Sequence, residues 1–235
     1  MLSGKIIAVT GGTGALGGAI VRDLLAAGAS VAVVGGRQAS VDRLIGELGA
    51  GAQVGGFPAD LTDEAQVDAA FAAAAERFGG LDGLVASAGG FGGGAPVHET
   101  ELAVWREQNE VNLLTAFLTC RAVAPYLIRR KGGAIVTVAS RPALHGAPYI
   151  AAYSVAKGGV LRLTEAMAGE LLDQNITVNA VLPSTIDTPA NREGQPDADY
   201  STWVKPEEIA AVIRWLLGPD ARIVSGAAVP VYGRA

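Results

Sequence analysis

At 235 residues the chain has the length of one large domain or two small ones, and half of its residues are hydrophobic, enough for a sizeable core. Only 17% are charged, below the usual quarter, and the formal net charge is −5. With no run of basic residues, this balance argues against nucleic acid or an anionic membrane surface as the main partner.

In chain order, strand-like and helix-like segments alternate. Short apolar runs occur at 6–9, 31–34, 53–57, 83–86, 134–139, 177–182 and 227–231. They lack clean polar alternation, as expected of strands covered on both faces. Helical patterns fall between them, at 16–27, 41–48, 64–78, 102–130, 149–173 and 206–217. Asp63 and Lys205-Pro206 look like helix starts, and Gly28 and Gly79 like helix stops. The alternation predicts an α/β chain with a Rossmann-type, doubly wound parallel sheet of about seven strands in three α/β/α layers. No repeat or linker divides it, so residues 1–235 read as a single dinucleotide-binding domain. The irregular segment after the sixth strand, around 184–205, is where a substrate lid would sit.

The N-terminus enters a strand without a signal-peptide pattern, no apolar run is read as long enough to span a membrane, and the one cysteine, Cys120, cannot pair within the chain. A cytoplasmic protein with a buried, inert thiol is expected. Neither His98 nor His145 has metal-ligand spacing, so no metal is expected.

Three groups of residues carry chemistry. The first is Thr10-Gly-Gly-Thr-Gly-Ala-Leu-Gly17, between the first strand and the first helix. Glycines there allow a tight turn and bring backbone N–H groups near a pyrophosphate, while the helix N-terminus adds partial positive charge. Gly11, Thr13, Gly14, Ala15, Leu16 and Gly17 are the candidate cradle. The second strand ends Val34-Gly-Gly36-Arg37. Without a carboxylate for the ribose hydroxyls, and with a guanidinium nearby, Gly36 and Arg37 favour NADP(H), with NAD(H) the alternative. Asp60 and Leu61 follow the third strand; the aspartate reads as an adenine contact or as a cap for the next helix. Ala86, Ser87, Ala88 and Gly89 follow the fourth, small enough to let backbone pass close to ribose and nicotinamide.

The third is Tyr153-Ser-Val-Ala-Lys157, a phenol and an ammonium about one turn apart on one helix face. Tyrosine ionises near pH ~10; a cation held close would lower that value and fit the phenol for proton exchange with a carbonyl or alcohol. Arg141 and Arg192 could attract an anionic substrate, or be solvated cations.

From Lys5 to Tyr232 the chain resembles the short-chain dehydrogenase/reductase family, on the glycine turn, Asp60, Ser87-Ala-Gly89, Asn112, Ser140, Tyr153, Lys157 and the stretch from Pro183 to Thr188. Ser140 stands thirteen residues before Tyr153, a spacing the family commonly shows. The resemblance implies that Tyr153 is the general acid in reduction, that Lys157 lowers its pKa and holds the nicotinamide ribose, and that Ser140 steadies the substrate oxygen. It further implies that Asn112 links Lys157 to water for proton relay, and that Pro183, Ile186 and Thr188 embrace the carboxamide. It implies hydride exchange between a nicotinamide dinucleotide and a small carbonyl or alcohol, in a homodimer or homotetramer. Departures are Ala86-Ser87 for the family's usual Asn-Asn, Ala15 for a glycine, and Ser184 for the glycine that usually follows Pro183.

The glycine turn, Ala88-Gly-Gly-Phe-Gly-Gly93, Leu182 to Arg192 and Pro196 to Trp203 are similar to dihydropteridine reductases, although Ser140 and the missing acid after the second strand depart from them; Phe91 stands where they tend to carry tryptophan. A pterin reductase using NADH or NADPH is therefore one alternative. A dinucleotide-sensing regulator without catalysis is another.

Overall fold

The computed structural model describes residues 2–49 and 53–234. Seven strands form one sheet: β1 (Ile6–Thr10), β2 (Ser30–Val34), β3 (Val54–Phe57), β4 (Gly83–Ala86), β5 (Gly133–Val138), β6 (Ile176–Pro183) and β7 (Ala228–Val231). Their order is β3-β2-β1-β4-β5-β6-β7, and every pairing is parallel. The apolar runs have no polar face because helices cover both sides. On one side, α1 (Ala15–Ala26) and α8 (Pro206–Leu217) bury Ile20, Leu24, Ile209 and Ile213 against Val9, Val33 and Val136. On the other, α3 (Glu64–Phe78) and α5 (Thr115–Arg130) bury Phe71, Val123 and Leu127 against Ala8, Leu84 and Ile135. Cys120 lies fully buried here, and burial pushes its thiol up to about 12, so it stays an inert hydrophobe.

The direction of winding reverses between β1 and β4, which pair directly although two strands intervene in sequence. A crevice opens outside the carboxyl ends of strands at such a reversal. The ends of β1, β4, β5 and β6 bring Thr10, Ala86, Val138 and Pro183 to the same edge of the sheet.

The remaining helices are α2 (Gln38–Leu48), α4 (Leu102–Asn109), α6 (Ala151–Glu170) and α7 (Pro189–Gly194). Asp63 caps α3 as expected, its carboxylate accepting from the Gln66 N–H at 3.1 Å, and Gly79 ends that helix in the left-handed region. At α8 the Glu208 carboxylate reaches back to the Lys205 N–H at 2.8 Å.

Two sequence expectations need correction. The run 102–130 is not a uniform α-helix: a π-helical turn, Glu110–Leu114, separates α4 from α5. Such a turn widens the helix by one residue and re-aims its side chains. Leu113 on this turn packs on α6 at Gly159, where a Cβ would lie 2.8 Å from Leu113 Cδ2. In addition, the most apolar 18-residue window of this 29-residue stretch has a mean hydropathy of 1.5, so the helix is long and apolar enough to cross a membrane by length and composition, contrary to the reading from sequence. Half of its most apolar window is buried inside this fold, which accounts for that composition without a bilayer.

Candidate active site

The glycine turn is shaped by backbone crowding. Gly11 has φ +67°, and a Cβ there would sit 2.9 Å from Ala88 Cα, so the turn at the end of β1 presses against the strand β4 exit. A Cβ on Gly17 would collide with the Gly11 carbonyl, which fixes the close passage of α1 beneath the turn. Gly14 occupies the N-cap position of α1 and offers no side-chain cap. The first-turn N–H groups of this twelve-residue helix therefore open into the crevice, which is lined by Gly11, Thr13, Gly14, Ala15, Leu16 and Gly17. Those donors and the helix dipole fit a pyrophosphate. The crevice holds about 830 Å³ and runs from this turn to Tyr153.

Gly36, Leu61, Ser87, Ala88, Gly89, Pro183, Ile186 and Thr188 also line it. Ser87 is tied to the turn, its hydroxyl donating to the Thr10 carbonyl at 2.5 Å. Thr188 instead caps α7, accepting from the Asn191 N–H at 3.2 Å, while the Asn191 amide donates to the Ile186 carbonyl at 2.8 Å. Together these bonds hold the 186–191 backbone against the crevice wall.

Three sequence candidates lie outside that wall. Ala86 is buried within β4. Arg37 is exposed at the start of α2, beside the crevice rather than in its lining. Asp60 turns away: its carboxylate accepts from the Thr62 N–H at 2.9 Å and the Thr62 hydroxyl at 2.6 Å, and these bonds hold its carboxyl below the usual range. The aspartate thus shapes the turn ahead of the α3 cap. With Asp60 so engaged, no carboxylate among the described residues appears in the crevice wall beside Gly36.

Tyr153 and Lys157 both arise from α6 and face the crevice, where Ser140 meets them from just beyond β5. The Ser140 hydroxyl is hydrogen-bonded to the Tyr153 phenol. The Lys157 ammonium is buried, donates to the Val138 carbonyl at 2.9 Å, and lies 6.0 Å from the centre of the Tyr153 ring. Burial lowers its pKa to about 8, because the charged form loses water. The expected lowering of the Tyr153 pKa is not found in the protein alone. Burial pushes the phenol above 10.0, and the Ser140 hydrogen bond offsets this only in part.

Asn112 is buried on the π-helical turn and joins the group through backbone. Its Oδ1 accepts from the Gly90 N–H at 3.1 Å, and its Nδ2 donates to the Gly90 carbonyl at 2.9 Å and the Gln108 carbonyl at 3.1 Å. A Cβ on Gly89 would lie 2.6 Å from Asn112 Oδ1 and 3.2 Å from Lys157 Nζ, so only glycine lets the strand β4 exit run between them.

Two contributors could not be read from the sequence. The Val138 carbonyl that receives Lys157 is main chain and carries no side-chain signal. Gln108, buried and facing both Asn112 and Gly92, reads in the sequence as one more polar helix residue. Of the two other cations, Arg192 is committed to Asp187 by paired contacts of 2.6 and 2.8 Å. Arg141 lines the crevice with its guanidinium 5.1 Å from the centre of the Tyr232 ring. His98 meets Glu99 at 3.3 Å on the surface, and His145 is exposed.

The fold and this constellation define a dinucleotide-dependent oxidoreductase, and comparison with known proteins agrees. Residues 5–199 match the short chain dehydrogenase family, and the chain belongs to it. It is 35% identical to 2-(S)-hydroxypropyl-CoM dehydrogenase 3 of Xanthobacter autotrophicus, over 99% of this chain and 96% of that protein. It is 36% identical to the same organism's inactive 2-(S)-hydroxypropyl-CoM dehydrogenase 2, over 91% and 98%. Among solved structures, levodione reductase superposes with a TM-score of 0.91 at 30% identity, covering 98% of this chain and 97% of that one. A single-substitution variant of actinorhodin polyketide ketoreductase with NADPH superposes at 0.90 and 32%, covering 97% and 96%. The protein is an NAD(P)-dependent oxidoreductase acting on hydroxyl and carbonyl groups.

Proposed function

We propose that this chain is an NADP(H)-dependent carbonyl reductase, and alcohol dehydrogenase in reverse, with Tyr153 as its general acid and base. The observation that carries this reading is the meeting of Ser140, Tyr153 and Lys157 at the far end of the crevice that begins at the glycine turn. One relative of equal similarity is named inactive, so the argument rests on these residues and not on kinship.

A bound nicotinamide would supply the hydride, held by the α1 N-terminus at its pyrophosphate and by Pro183, Ile186 and Thr188 at its carboxamide. Ser140 donates a hydrogen bond to the substrate oxygen, which gains charge as the carbonyl carbon is reduced. Tyr153, kept protonated by its burial, gives its proton to that oxygen. In oxidation it must first lose the proton, a loss that Lys157 favours while it keeps its own charge, 6.0 Å from the ring centre. Asn112 holds the Gly90 backbone beside this group. NADP(H) is favoured because, among the described residues, the Gly36 end of the crevice has no carboxylate, and the Arg37 backbone stands at its edge. The NADPH named with the actinorhodin ketoreductase structure supports the same choice.

The same reading includes self-association. Leu102, Trp105, Phe117 and Val155 are exposed on α4, α5 and α6, and a groove of about 500 Å³ lined by Leu113, Phe117 and Leu163 lies on that side. A second copy laid on these helices would cover them, as in a homodimer or a tetramer built from it.

The test is a panel of small ketones and alcohols with each cofactor, followed at the nicotinamide absorbance. NADPH oxidation by wild type, lost in Tyr153→Phe with cofactor affinity retained, is the expected result. Unaltered turnover in that variant removes the mechanism.

A further inference from the structure

Between β4 and α4 the chain reads Gly89-Gly-Phe-Gly-Gly-Gly94, so Phe91 is the single side chain on a six-residue strap across the mouth of the site. The strap is held at several points. Asn112 brackets Gly90 with two hydrogen bonds, and Gly94 donates its N–H to the Tyr149 carbonyl at 2.7 Å. Gly92 and Gly93 lie so close to their neighbours that a Cβ would fall 2.5 Å from Gln108 Nε2 and 2.6 Å from Ile150 Cγ2. Tyr149, which receives Gly94, is itself in the left-handed region at φ +66°, an uncommon conformation for a tyrosine. Strain of this kind persists where the surroundings over-determine the backbone, often beside functional sites.

All this fixes the backbone that carries one aromatic ring. Phe91 meets Tyr153 edge to face, with ring centroids 5.2 Å apart, yet 70% of the residue is exposed. A phenylalanine placed for packing alone would bury its faces. Here the exposed part borders the crevice, together with Ile150 and Pro142, beside the Ser140 and Tyr153 hydroxyls. The result is an apolar slot with hydrogen-bonding groups at its floor.

We propose that Phe91 is the specificity-determining wall of the carbonyl site, selecting substrates whose C=O is attached to a flat apolar ring. This rests on the carbonyl-reductase reading. The ring stacks on Phe91 and excludes water from the polar floor, while the carbonyl oxygen points to Ser140 and Tyr153. An acyclic ketone reaches the same hydroxyls but leaves the wall wet. The strap holds the wall in place in advance, so little ordering is required on binding.

The test uses the full chain with NADP+ bound, so that a ketone binds without being reduced. Calorimetry gives the dissociation constants of 1-tetralone and of 2-pentanone for wild type and for Phe91→Ala, Phe91→Leu and Phe91→Trp. Wild type is expected to prefer the ring ketone, and the ratio of the two constants is expected to fall by roughly tenfold in the alanine and leucine variants while tryptophan preserves it. A ratio that changes less than twofold in alanine and leucine, or a wild type without preference, overturns the proposal. Turnover with NADPH is measured alongside. A wild type that binds 1-tetralone through Phe91 but never reduces it leaves the wall standing and removes the reductase reading instead.

Discussion

The Asn112 amide clasps the Gly90 peptide on both sides, its Oδ1 accepting the N–H at 3.1 Å and its Nδ2 donating to the carbonyl at 2.9 Å. A third contact to the Gln108 carbonyl leaves this amide occupied by protein. Its two amide hydrogens are thus taken by carbonyls, and a contact to water would fall to the second lone pair of Oδ1. Asn112→Ala is expected to free the Gly90 strap and leave the Gly90 N–H without its partner. The expected outcome is a loss of about 1–3 kcal/mol in stability, read by urea unfolding, together with lower kcat.

Tyr153→Phe removes the phenol and keeps the ring that packs on Phe91. Turnover is expected to fall by about 10²–10⁴-fold. Affinity for the nicotinamide cofactor, measured by fluorescence titration, is expected to stay within about twofold. Because the Tyr153 pKa is raised in the protein alone, alcohol oxidation by wild type is expected to increase with pH through the alkaline range, in a pH–rate profile at saturating cofactor.

On the proposed mechanism, Ser140→Ala removes the hydroxyl that would turn from the Tyr153 phenol to the charge developing on the substrate oxygen. A fall in kcat of about 10²-fold is expected, with a smaller change in KM, since the bond strengthens as the oxygen gains charge. A raised KM with kcat unchanged would instead assign the hydroxyl to ground-state binding.

Lys157 gives a stability test with a definite sign. Its folded pKa of about 8 lies below the ordinary 10.5. Below pH 8 both states carry the proton, and the burial penalty is felt in full. As pH rises towards 10.5 the folded protein releases its proton while the unfolded chain keeps one, and the penalty is progressively relieved. The stability of wild type minus that of Lys157→Met is therefore expected to grow between pH 8 and 10 in parallel urea titrations. A difference that is flat or shrinks over that interval contradicts the burial argument.

Arg37→Glu tests cofactor choice at the exposed edge of the crevice. Loss of the guanidinium and gain of a carboxylate are expected to lower kcat/KM with NADPH by at least about tenfold while NADH is affected far less. Gly17→Ala is a control on the cradle. Its methyl collides with the Gly11 carbonyl, so both thermal stability and cofactor binding should suffer, whereas Gly14→Ala meets that oxygen at 3.4 Å and should keep its stability.

The inner strand runs announced themselves because burial on both faces removes the polar residues that would mask them, and the two helix ends at Asp63 and Gly79 follow from capping chemistry. The π-helical turn did not, since its extra residue leaves the apolar pattern of 102–130 nearly intact. The short helix α7 was hidden for a different reason: its six residues are too few to show a period. Within the site, Ser140, Tyr153 and Lys157 were legible as residue types at a spacing. The direction of the Tyr153 pKa was not, because it depends on how much water the fold removes. The turn of Asp60 towards Thr62 was likewise a choice between two local partners that sequence leaves open.

The last residue of β5 and the serine just beyond that strand have a wider consequence. Val138 anchors the ammonium and Ser140 engages the phenol, so both of these contacts of the Tyr153–Lys157 pair come from the end of β5 and the two residues after it. On the proposed function, what would enclose the guest molecule comes from elsewhere, from the glycine strap and from the stretch after β6. Mutations there can retailor which guests are accepted while the proton-handling geometry stays put. A scaffold divided in this way can be repurposed by drift in its loops, without having to rediscover its chemistry.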